Sequence, residues 1–153
     1  MKKYTRFIYL GLTVLWLAFI FSNSLKSGDD STRDSQFFAN ILNGLLSLVG
    51  VSPGDGVMTV VRKGAHVTEF FLLGIFSGGF FTRSFKNIPG YWYKMVYILF
   101  TVLFAACIDE FIQMRIPERS SQITDVFIDF SGGIIAAAVW YFLYRQREKR
   151  EIG

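Results

Sequence analysis

Four apolar runs, each long enough to cross a bilayer and each carrying ionisable residues near its ends only, constrain this chain more than any other feature of its sequence. The hydrocarbon core of a membrane is roughly 30 Å thick and takes about 20 helical residues. The first run extends from Phe7 to Leu25 behind Lys2, Lys3 and Arg6. The others cover about 62–82, 91–113 and 124–144. A composition that is 52% hydrophobic and 18% aromatic is rich for a soluble chain and agrees with membrane residence. The expected fold is therefore all-α, an integral membrane bundle of four transmembrane helices forming one domain over residues 1–153. A basic start, an apolar stretch and Ser22 and Ser24 would also fit a cleaved signal peptide. The length of the first run and the three spans that follow favour a retained helix.

Between the first two spans lies a polar stretch, Lys26 to Gln36, followed by Phe37, Phe38, Ile41, Leu42, Leu45, Leu46 and Val49 at the spacing of one helix face. Residues 36–50 are too few to span. They read as an interfacial helix lying on the membrane, ended by the turn signal Pro53-Gly54-Asp55-Gly56.

Loops rich in Lys and Arg stay on the cytoplasmic side. Ten of the sixteen basic residues fall on the side of the two termini, and ten of the twelve acidic residues fall on the other. Both termini are therefore expected in the cytoplasm. The basic residues flank apolar segments rather than forming a continuous patch, which suits lipid headgroups and excludes nucleic acid as a partner. Cys107 is the only cysteine, so a disulfide framework and a cysteine-based zinc site are both excluded.

This topology brings the polar ends of spans two, three and four to one side. Arg62, His66 and Glu69 share a helix face at i, i+4, i+7, with Lys63 beside them. Asp109 and Gln113 are one turn apart, with Glu110 adjacent, and Asp125 and Asp129 repeat that spacing; Arg119 sits in the connection between. At 1.5 Å per residue, Glu69 lies roughly 10 Å along its helix from Arg62, and Asp129 roughly 7 Å from Thr124. Those depths are inside the hydrocarbon edge, where an unpaired charge costs about 2.5–3.5 kcal/mol. Isolated pairs such as Arg119 with Asp125 would explain single residues. The five groups His66, Glu69, Asp109, Glu110 and Asp129 together point to a functional pocket, because a purely structural bundle could use apolar residues there.

Gly74 and Gly78 in GxxxG spacing, and Gly132 with Ala136, predict a close approach of spans two and four. Trp16, Tyr91, Trp92, Tyr93, Trp140 and Tyr141 read as an aromatic belt at the membrane interfaces.

The segments Arg62-Lys63-Gly64-Ala65-His66-Val67-Thr68-Glu69-Phe70, Asp109-Glu110-Phe111-Ile112-Gln113, Pro117-Glu118-Arg119 and Thr124-Asp125-Val126-Phe127-Ile128-Asp129 resemble the VanZ-like proteins. The likeness covers nearly the whole chain. It implies a bacterial cell-membrane location and a link to teicoplanin resistance, with which the founder of the family is associated, but no particular reaction. Two departures are that Glu118 stands where the family often has Gly, and Phe70 where many members have Tyr.

One expected function is an outward-facing pocket that binds or modifies a lipid or cell-wall precursor headgroup, with Arg62, Lys63 and Arg119 holding phosphate and Gln113 and Asp125 completing the lining. Should it catalyse, His66 is the natural general acid or base, and Glu69 sets its tautomer or shares the proton. Asp109, Glu110 and Asp129 are oxygen donors that could hold a divalent cation against phosphate, although no dedicated metal motif is present. A proton or ion pathway through His66, Glu69 and Asp129 is a second reading. Against it, 70–82, 95–108 and 130–144 contain no Asp, Glu, Lys, Arg or His. A structural or regulatory membrane partner is a third.

Overall fold

A computed structural model describes residues 4–48, 56–88, 90–119 and 122–152. They form five helices: α1 Thr5–Ser24, α2 Gly28–Leu48, α3 Val57–Ser84, α4 Trp92–Gln113 and α5 Ile123–Ile152. Four of them, α1, α3, α4 and α5, are long and apolar enough to cross a membrane. Helix α3 is the hub, packing against each of the other four, and α4 also touches α1 and α5. The distribution of side chains is that of a protein in lipid. Phe7, Leu15, Phe100, Phe104 and Phe142 are exposed around the outside, while Ile20, Phe70, Leu73 and Val102 fill the centre.

The α3–α5 seam depends on missing side chains. A Cβ at Gly132 would run into the backbone carbonyl of Val67, and one at Gly74 would collide with the Ala136 methyl. Close backbone approach of this kind drives helix association where lipid removes the hydrophobic difference between contact and solvent. It matches the small-residue spacing in the sequence.

Several boundaries differ from the sequence reading. Helix α2 begins at Gly28, eight residues before the expected 36, because Ser27 caps it: the Asp30 backbone N–H donates to Ser27 Oγ at 3.2 Å, and Ser27 Oγ donates to Asp30 Oδ2 at 2.9 Å. The Ser27 hydroxyl thus caps a helix that begins inside the polar stretch. Helices α3 and α5 also outrun the expected spans 62–82 and 124–144, since their polar ends need no lipid to remain helical. Helix α2 exposes Phe37, Phe38, Ile41, Leu45 and Leu48 along one side, the pattern of a helix lying in the interface. Lys2, Lys3, Val49, Gly50 and the Pro53–Asp55 part of the turn signal lie outside the described residues.

Of the six aromatics read as a belt, Trp92, Tyr93 and Tyr141 are exposed, whereas the other three point their polar atoms at the backbone of a neighbouring helix. Trp16 Nε1 donates to the Glu69 carbonyl at 2.8 Å, Trp140 Nε1 to the Ile75 carbonyl at 3.1 Å, and Tyr91 OH to the Ala137 carbonyl at 2.7 Å. An indole or phenol withdrawn into a bundle needs a partner; buried Tyr91 and Trp140 and partly buried Trp16 each find one between helices.

Candidate functional site

The C-terminal ends of α1 and α4 and the N-terminal ends of α3 and α5 meet at one end of the bundle, as an up-and-down arrangement requires. Here Asp109, Glu110, Gln113 and Asp129 are all buried, while the Lys63 side chain is 47% exposed. Asp109 is held at both oxygens: Ser24 Oγ donates to Oδ1, and Gln113 Nε2 donates to Oδ2 at 2.5 Å. His66 Nδ1 and Asp129 Oδ1 lie 3.2 Å apart across the α3–α5 seam. Their alignment makes no hydrogen bond, and His66 Nδ1 and both Asp129 carboxylate oxygens are buried without a hydrogen-bond partner.

Glu69 faces α1 instead. Asn23 Nδ2 donates to Glu69 Oε1 at 3.0 Å, and the Asn23 carbonyl accepts from Arg119 Nη2 at 2.9 Å. Arg119 therefore ties the α4–α5 connection to the end of α1. Burial pulls its guanidinium below the ordinary arginine range; Asp109 opposes the drop and Arg62 adds to it. The isolated pair of Arg119 with Asp125, which would have explained both residues structurally, is not made. Asp125 Oδ1 instead stands 3.5 Å from Lys63 Nζ.

The sequence suggested a single pocket, and the structure divides it. One cavity, of about 290 Å³, opens between α3, α4 and α5 and is lined by Arg62, Lys63, His66, Glu110, Gln113, Asp125 and Asp129 among others. A second, of about 380 Å³, lies between α1, α2 and α3 and is lined by Asn23, Ser24, Arg62, His66, Glu69 and Arg119 among others, with the exposed rings of Phe19 and Phe38 also on it. Arg62 and His66 belong to both and form the partition. Asp109 stands behind it, grouped with His66 and Asp129.

All ten candidate residues thus gather at this end, and two more join them that sequence reasoning missed. Asn23 and Ser24 look like the polar edge of an apolar run, yet they hold Glu69 and Asp109. The signal was the placement of amide and hydroxyl groups at the end of a span that must meet buried carboxylates. Because α1 supplies these contacts and packs on α3 and α4, it is an integral part of the bundle.

The VanZ/LLP1 family profile matches residues 8–144. The chain belongs to the VanZ/LLP1 family. No curated protein and no solved structure matches it. The matched region covers α3 and α4, most of α1 and α5, and every residue of the polar end, so this VanZ-family chain is a multi-pass membrane protein. Its Glu118 adopts φ +63°, the left-handed conformation that glycine enters most easily. That explains why glycine would suit the position. A Cβ on Gly28 would strike the Glu118 carbonyl, so the turn is also where α2 docks on the connection between α4 and α5. Phe70 is fully buried in the centre, where a tyrosine hydroxyl would need a partner of its own.

Proposed function

We propose that this VanZ-family protein receives the phosphate-bearing headgroup of a membrane lipid or lipid-linked cell-envelope precursor in the cavity between α1, α2 and α3, on the outer face of a bacterial cell membrane, with both termini in the cytoplasm. The observation that carries this reading is the composition of that cavity. Arg62 and Arg119 line it, and the exposed rings of Phe19 and, from the interfacial helix α2, Phe38 give it an apolar edge. Guanidinium groups supply forked donors for phosphate oxygens. An apolar rim lets acyl chains remain in the bilayer while the headgroup is withdrawn from it. Lys63, at the neighbouring cavity, adds a positive charge at the water-facing side.

Engagement of such a headgroup would change how lipophilic glycopeptides act at the membrane, which is the route by which a teicoplanin phenotype follows. A relay across the membrane is less well supported, because the stretches 70–82, 95–108 and 130–144 contain no Asp, Glu, Lys, Arg or His that would continue it. Growth inhibition by teicoplanin tests the proposal in a susceptible Gram-positive host expressing wild type or Glu69→Gln at equal levels. Protection by wild type and its loss in Glu69→Gln support the pocket. Equal protection by both moves the function to another surface.

A further inference from the structure

We propose that His66, Asp109 and Asp129 form a site for one divalent transition-metal ion, Mn²⁺ or Zn²⁺ in chemistry, at the partition between the two cavities. The site deepens the headgroup reading, on which it rests for its role but not for its existence. One ligand atom from each residue lies within 4.8 Å of the other two. Metal–ligand bonds of roughly 2.0–2.2 Å put neighbouring donors about 3 Å apart and opposed donors slightly over 4 Å apart. The 3.2 Å between His66 Nδ1 and Asp129 Oδ1 is such a neighbouring edge.

The independent observation is the state of Asp129. Its side chain is 1% exposed, and neither carboxylate oxygen has a hydrogen-bond donor. A buried carboxylate without donors is among the costliest arrangements in a protein. His66 Nδ1 is likewise without a partner, so two sets of lone pairs converge on one point. A cation there satisfies both. Asp109 is prepared differently: Ser24 and Gln113 each donate to one of its oxygens, which fixes the carboxylate and leaves acceptor capacity for a metal.

The mixed nitrogen and oxygen donor set selects the ion. Calcium and magnesium take oxygen ligands, whereas one imidazole with two carboxylates suits Mn²⁺ or Zn²⁺. The sequence grouped Glu110 with Asp109 and Asp129 as oxygen donors. In the structure His66 takes that place, and Glu110 lines the cavity without joining the trio. Three protein ligands leave coordination positions open toward the cavities, where a phosphate oxygen would complete the shell.

The test uses full-length protein in lipid nanodiscs, stripped with chelator and titrated with Mn²⁺ while the free ion is followed by electron paramagnetic resonance. Wild type should bind one Mn²⁺ per chain, displaceable by Zn²⁺. Asp129→Asn and His66→Gln, both close in shape to the native residues, should bind at least tenfold more weakly, and Glu148→Gln at the far end should match wild type. Melting curves recorded without metal establish that each variant is folded. The proposal is overturned if folded wild type retains no more Mn²⁺ or Zn²⁺ than Asp129→Asn. It is equally overturned, with the headgroup reading intact, if lipid phosphate binds through Arg62 while no metal binds.

Discussion

Both ends of the bundle leave buried polar atoms without a hydrogen bond, but of different kinds: Arg83 Nε and Ser84 Oγ at the end near the chain termini and, among others, carboxylate oxygens and an imidazole nitrogen at the other. At the end near the chain termini, the Tyr91 hydroxyl and the Trp140 indole each reach a backbone carbonyl of a neighbouring helix. Arg83 donates to the Gly79 carbonyl at 2.9 Å with its guanidinium 4.2 Å from the Tyr9 ring centroid. At the other end, Asp129 and His66 Nδ1 are buried without hydrogen bonds beside two cavities. Aromatic donors lock one end of the helices together. The polar end instead keeps strong acceptors in place around open space, an arrangement that favours binding over stability.

The contrast can be broken at four places. The largest effect is expected at Gly132, on the seam that serves both ends: Gly132→Ala places a methyl against the Val67 carbonyl and should destabilise the fold by about 2–3 kcal/mol in an unfolding titration. Next, Asp129→Asn removes a buried carboxylate whose oxygens accept no hydrogen bond and should stabilise metal-free protein by about 1–3 kcal/mol. A loss of stability would mean that Asp129 has a donor the account omits. At the aromatic end, Tyr91→Phe removes the bond to Ala137 and should cost about 1 kcal/mol while leaving headgroup binding unchanged within about twofold. The smallest change is Glu118→Gly, which relieves the left-handed backbone at some entropic cost and should stabilise by about 0.5–1 kcal/mol, read as a rise in melting temperature.

These same positions show what was legible in the sequence. The spans, the α3–α5 seam and the gathering of ten polar residues follow from hydropathy, small-residue spacing and up-and-down topology, since each depends on periodicity along one helix. The division of those residues between two cavities does not follow. It depends on the rotation of α3, which turns Glu69 toward α1 and His66 toward α5, and helix rotation is set by packing rather than by spacing. Asn23 and Ser24 escaped notice for the same reason. The start of α2 was available in Ser27, but the polarity of Lys26–Gln36 outweighed one capping residue. Tyr91, Trp140 and Trp16 sit near or within spans, and sequence alone does not separate a ring in the headgroup region from one whose polar atom finds a backbone carbonyl.

The most direct test of the central claim is equilibrium binding of a fluorescent short-chain polyprenyl phosphate, and of phosphatidylglycerol in parallel, to the purified protein and to two single-charge variants. Arg62 is shared by both cavities, and Lys86 is exposed at the opposite end. Arg62→Gln should weaken binding of at least one of these phosphates tenfold or more, with Lys86→Gln indistinguishable from wild type. Equal binding by all three proteins would contradict a headgroup site at the polar end.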